Sequence, residues 1–254
     1  MSRWWNTHRF DVLETALITG FAGLCVWAYV AQGGPSPELD QLRATYGPDR
    51  YSEHEEEWII RDFFRDKRNG FFVDVGANHY RRFSNTFYLE EHLDWSGIAI
   101  DPQREFEEDY TKYRRRTRFF AFFVSDVSDQ KVNVYVQEAN KLVTSADRSF
   151  TQRWGGTVKE MTAPTIALTD LLNHQNVSRI DLLSMDIELA EPKALAGFDI
   201  DRFRPALACV EAHAEVRQLI LDYFARHGYV VLGKYLWADA RNLYFRPLES
   251  TPAQ

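Results

Sequence analysis

The chain has 254 residues, 45% hydrophobic and 15% aromatic, enough to bury one sizeable core and carry an appendage. A formal net charge of -7 speaks against a general nucleic-acid binder, which needs a basic face. The two cysteines, Cys25 and Cys209, provide neither a disulfide framework nor a CxxC metal site.

In chain order the first element is apolar. Residues 16–31, ALITGFAGLCVWAYVA, carry no charge, and Arg3 and Arg9 precede them. Counted from Val12, the run would make roughly 30 Å of helix, enough to cross a bilayer. Tyr29 before Ala31 and Trp27 beside Ala28 make poor signal-cleavage sites. An uncleaved single-pass membrane anchor is therefore expected over residues 1–34. QGGPSPELDQ follows with the composition of a linker, assigned to 35–51, and 52–254 reads as one domain. The two arginines favour a cytoplasmic N terminus and an external domain, though only two charges set that bias. The domain is expected on the cytoplasmic side.

Within the domain, SEHEEEWIIRDFFRDKR shows a capping-box pattern at Ser52 and Glu55 and predicts a helix that covers the core. FFVDV reads as a strand buried on both faces, then a glycine turn and a helix through NTFYLEEHL. A strand GIAID, a charged helix REFEEDYTKY and a strand in RFFAFFV come next. Between the last two, the basic run YRRRTR reads as a solvated loop. KVNVYV alternates as a half-exposed strand does, and residues 137–164 read as an irregular functional loop that contains Trp154, Gly155 and Gly156. Strands in IDLLSMDIE and PALACVEAH, a helix closed by Gly228, and terminal strands YVVLG and NLYFRPL complete the domain. Strands alternate with helices, so the class is α/β with a doubly wound, mostly parallel sheet.

Four of these strands end in acids: Asp74, Asp101, Asp186 with Glu188, and Glu211. Right-handed crossovers gather such ends along one sheet edge, where open α/β sheets bind ligands. A row of carboxylates is a poor cradle for phosphate, and neither a third fingerprint glycine nor a GK[ST] ending is present. Asp101 is placed to accept the hydroxyls of a ribose, and a sulfonium near Asp74 would supply positive charge. These features point to S-adenosylmethionine.

The blocks FVDVGANHYRRFSNTFYL, WSGIAIDP, FVSDVSD, IDLLSMDIELAEPKALAGFD and RPALACVEAH resemble, in order and spacing, those of the FkbM-type methyltransferases. The resemblance runs from about residue 71 to 245. It implies a class I methyltransferase fold with S-adenosylmethionine as cofactor. It further implies that Asp74, Gly76, Ala77 and Asn78 form the methionine-side loop, with Thr86 in the following helix. Asp101 would hold the ribose, Ser125 and Asp126 would lie beside the adenine, and Asp186 and Glu188 would line the acceptor side. The expected reaction is methylation of a hydroxyl on a glycan, lipid-linked or polyketide-like acceptor, with Asp186, Glu188 and His213 as candidate bases. His213 reads equally well as a residue at a helix start, Glu191 reads as a first-turn charge, and no metal is assigned. Tyr80 and Leu189 stand where the family commonly has glycine, which keeps a second reading open: a membrane-tethered methyltransferase-like scaffold without catalysis.

Overall fold

The computed structural model of the protein describes residues 36–248. The expected anchor lies outside the described residues, among which no helix is long and apolar enough to cross a membrane. The stretch that reads as a linker contains a helix, α1 (Pro37–Tyr46). Ser36 accepts a hydrogen bond from the Leu39 N–H, Pro37 begins the first turn, and Leu42 is buried. Its Ser-Pro pair is thus a helix start. The next helix, α2 (Glu56–Phe64), begins later than the capping-box pattern predicts. Ser52 instead bridges to Phe83, and its hydroxyl accepts from the Glu57 N–H.

The strands are β1 (Phe71–Val75), β2 (Ser96–Ile100), β3 (Thr117–Phe120), β4 (Phe123–Ser125), β5 (Lys131–Gln137) and β6 (Thr144–Ser145). After them come β7 (Val158–Ala167), β8 (Leu182–Met185), β9 (Leu207–Glu211), β10 (Tyr229–Val231) and β11 (Asn242–Pro247). Between them lie α3 (Phe87–Leu93), α4 (Glu107–Tyr113), α5 (Arg148–Gln152), α6 (Leu168–His174), α7 (Glu191–Ala196), α8 (Ile200–Phe203) and α9 (Arg217–Arg226).

The main sheet has the order β10-β11-β9-β8-β1-β2-β3. Its strands pair in parallel except β11, which runs antiparallel to β9 and β10. The chain winds outward in one direction from β1 and in the other from β8, so the switch point lies between them. Alternate residues feed two cores. Val73, Val75, Leu183 and Met185 pack with α6 to α9, while Phe72, Leu182, Leu207 and Cys209 pack with α1 to α3. The doubly wound α/β expectation holds.

Three further expectations do not. RFFAFFV is two strands: β3 ends the main sheet, and β4 crosses to a smaller sheet of order β4-β7-β5-β6. Residues 137–164 are largely structured, since β7 pairs antiparallel with β5 from Val158 opposite Gln137 to Pro164 opposite Lys131. The basic run also hides a core residue. Arg114 is 2% exposed, and its Nε donates to Glu90 Oε2 at 2.5 Å. The same guanidinium donates to the carbonyls of Tyr80 and Thr86.

Candidate active site

The site begins at Gly76, the first residue after β1. Its φ of +85° lies in the left-handed region, and a β-carbon there would stand 1.8 Å from the Asp186 carbonyl oxygen. Only glycine lets the turn lie against the end of β8. The Gly76 and Ala77 N–H groups both donate to the Ile100 carbonyl, so one turn joins the ends of β1, β2 and β8. Beside it lies a hollow of about 700 Å³, within the roughly 300–1,000 Å³ of small-molecule sites.

Asp74, Asp186, Glu188 and Glu211 all line this hollow, with Gly76, Ala77, Asn78 and His213. Three of the four acid-ended strands that the sequence predicts to converge thus do so here; Asp101 does not line this hollow. Strand β8 has ended by Asp186, so Asp186 and Glu188 are free of strand alternation and both reach the same space. Glu188 and Leu189 hold φ of +54° and +78°, a turn that glycine would adopt without strain. Neither Leu189 nor Tyr80 lines the hollow; Tyr80 stacks between His79 and Tyr113.

Thr86 serves Asp74 rather than the hollow: its hydroxyl donates to Asp74 Oδ2 at 2.8 Å. Burial pushes the Asp74 carboxyl up, against that hydrogen bond and the nearby Arg114 charge. Asp101 accepts from the N–H groups of Gln103 at 2.8 Å and Asn78 at 3.1 Å, and burial raises it to about 7. It borders a second hollow of only about 20 Å³, little more than a water, which shares Gly76, Asn78, Leu142 and Asp186 with the first. Residues 138–144 form a strap over this place. The Lys141 carbonyl accepts from the side-chain amides of Asn78 and Gln103, and the Lys141 ammonium pairs with Glu105.

Ser125 and Asp126 line neither hollow. They sit where β4 leaves for the smaller sheet, with the Ser125 hydroxyl on Asp126 and Asp126 paired to Lys193 at 3.6 Å. Phe122, Phe123 and Val124 border the small hollow instead.

At the inner end, His213 Nε2 lies 3.0 Å from Glu188 Oε2 and 3.0 Å from Glu211 Oε2. These two carboxylates raise the imidazole to about 10, which favours its protonated form beside them. Burial, with Glu211 and Glu188 close by, holds the Asp186 carboxyl well above the usual range. Glu191 is no solvated charge. It is fully buried, it accepts from the Ile187 N–H, and burial raises it to about 8. Glu53, His54 and Glu56, read as part of a covering helix, also line the hollow, because the chain bends before α2. Trp154, 55% exposed, stands at its wall.

The Methyltransferase FkbM domain matches residues 74–231. The chain belongs to the FkbM methyltransferase family. The match takes in the Gly76 turn, the acid ends of the four strands and the His213 cluster. A solved structure similar to this FkbM-family chain is a TehB-like SAM-dependent methyltransferase from Corynebacterium glutamicum. It is 14% identical over 82% of this chain and 94% of that one, with a TM-score of 0.44. Comparison with curated proteins finds no match.

The residues present suit the family's cofactor at one end. Buried carboxylates on the large hollow fit a ligand with a sulfonium and an ammonium. Asp101 keeps lone pairs for a ribose, but the adjoining space admits a nucleoside only if the strap moves.

Proposed function

We propose that the chain is an O-methyltransferase that uses S-adenosylmethionine to methylate a hydroxyl on a glycan, lipid-linked or polyketide-like acceptor. The observation that carries this reading is the meeting of Asp74, Asp186, Glu188, Glu211 and His213 on one hollow at the Gly76 turn. Bound S-adenosylmethionine supplies an electrophilic methyl group. Asp74 and the Gly76–Asn78 turn would hold its amino-acid end, and Asp101 its ribose. Asp186 lines the same hollow at the end of β8 and is the carboxylate placed to take the acceptor proton. His213 balances the charge of Glu188 and Glu211 and fixes their positions.

The catalytically silent scaffold has one feature in its favour, the narrow hollow beside Asp101. Calorimetric titration of the full chain with S-adenosylmethionine separates the two. Saturable binding is expected, with Asp74→Asn weakening it about tenfold or more through loss of a charged hydrogen-bond acceptor. A flat titration of the wild-type chain removes the enzyme reading.

The apolar run at residues 12–31 supports a single-pass membrane tether, with the domain on the cytoplasmic side where the cofactor is made. In sealed vesicles with their cytoplasmic face outward, protease is expected to digest the domain. Protection of the domain would place it on the other side and favour the scaffold.

A further inference from the structure

We propose that Glu188, Glu211 and His213 form a binding site for one divalent metal ion at the inner end of the hollow. The site's use in catalysis rests on the methyl-transfer reading, but its existence does not. One ligand atom from each of the three residues lies within 4.8 Å of the others. His213 Nε2 is 3.0 Å from an oxygen of each glutamate. Ligands bonded to one ion at about 2.1 Å stand about 3.0 Å apart when adjacent and about 4.2 Å when opposite. The two His213 distances are those of adjacent positions on one ion, and the third pair lies within 4.8 Å.

A second observation is independent of that spacing. Glu211 is 8% exposed, and its Oε2 is buried without a hydrogen-bond partner, since the His213 contact does not meet hydrogen-bond geometry. The His213 imidazole lies 3.0 Å from this oxygen without hydrogen-bonding it, and a metal ion between them would serve the oxygen directly. The surroundings hold the ligands in place. The Ser145 hydroxyl donates to the Glu188 carbonyl at 2.7 Å, and Phe150 packs edge-on against the His213 ring at 5.0 Å. The left-handed backbone at Glu188 and Leu189 is strained, and it turns Glu188 back toward the histidine.

One imidazole nitrogen and two carboxylates form a donor set of mixed hardness. It suits Mn²⁺ or Zn²⁺ better than Mg²⁺, which prefers oxygen alone. The ion would displace the proton between His213 Nε2 and Glu188 Oε2. Its remaining positions would face the hollow, where an acceptor hydroxyl could bind and become more acidic. The acceptor O–H would then give its proton to Asp186 while the oxygen bonds to the methyl carbon. The sulfur would keep the electron pair of the bond that breaks, and the ion would be neither oxidised nor reduced. An acceptor with two adjacent oxygens, such as a vicinal diol, would chelate such an ion.

The test uses the full chain, stripped of metal with a chelator and titrated with MnCl₂, with free Mn²⁺ followed by its paramagnetic resonance. Uptake of one ion per chain is expected, with Zn²⁺ competing for it. Glu211→Gln and His213→Gln should each weaken uptake by at least about tenfold, the lower end of what even an outer-shell change costs a metal site. Thermal unfolding of each variant without metal shows whether it has folded. Should a variant not fold, Mn²⁺ broadening of the His213 ring resonances in the wild-type chain serves instead. Failure of both ions to bind saturably overturns the site, as does unchanged uptake in both folded variants or a sharp His213 signal at saturating Mn²⁺. Titration of the same wild-type sample with S-adenosylmethionine keeps this failure distinct from failure of the methyltransferase reading.

Discussion

Gly76→Ala is expected to destabilise the fold by on the order of 3–5 kcal/mol and to abolish cofactor binding. Two effects add at this position. The φ of +85° is strained for any residue with a β-carbon, and that carbon would meet the Asp186 carbonyl oxygen at 1.8 Å. Both obstructing atoms at less than 3 Å, the carbonyl oxygen and carbon of Asp186, are backbone. No rotamer change relieves the clash, so β1 and β8 would have to part at the switch point. Gly228→Ala is the control. Gly228 has φ +68° but nothing within 4 Å of its would-be β-carbon, so only the conformational cost of about 1–2 kcal/mol remains. Urea unfolding of both variants, with calorimetric titration of S-adenosylmethionine, checks the pair. Equal losses would show that packing against β8 contributes nothing.

Arg114→Met should destabilise the protein by about 3–5 kcal/mol, the usual cost of removing one partner from a buried ion pair. The guanidinium lies among the rings of Phe72, Phe87 and Tyr110, at 5.5 to 5.8 Å, with Glu90 as its counter-charge. Met fills much of the volume but leaves Glu90 buried and charged. Adding Glu90→Leu should therefore restore part of the loss, although each substitution alone is harmful. The site is affected as well. Arg114 Nη2 donates to Thr86 Oγ1, and Thr86 Oγ1 donates to Asp74 Oδ2, so the charge reaches the carboxylate of β1 through one hydroxyl. The single variant should weaken S-adenosylmethionine binding even where it remains folded. A stability loss below about 1 kcal/mol by urea unfolding would show that the pair carries little.

Arg114 also shows why some of this molecule was hidden in its sequence. The run from 113 to 118 holds four arginines, and nothing local distinguishes the buried Arg114 from the three exposed ones. Its partner Glu90 is 24 residues away on another helix. By contrast, the strand ends were legible because a parallel strand buried on both faces is a nearly unbroken apolar run, and an acid that stops it is conspicuous. Asp74, Asp101, Asp186 and Glu211 were all found in that way. Glu211 was nevertheless passed over as a site residue, because its meeting with Glu188 and His213 depends on β9 lying next to β8. The strand β7 is not legible because the first half of VKEMTAPTIA mixes exposed Lys159, Glu160 and Thr162 with half-buried Val158 and Met161, and only its pairing with β5 makes it a strand. Ser125 and Asp126 were expected beside the adenine by resemblance to the family, but β4 carries them off with the smaller sheet.

The strap over Asp101 has a bearing on the sequence of events in turnover. Asn140, Leu142 and Val143 belong to the wall of the large hollow, while Leu142 and Thr144 also close the small one. A nucleoside that lifts this segment must redraw the surface against which the second substrate lies. If S-adenosylmethionine binds as proposed, recognition of that substrate would depend on a loaded site, and ordered addition would follow from a wall that two compartments have in common.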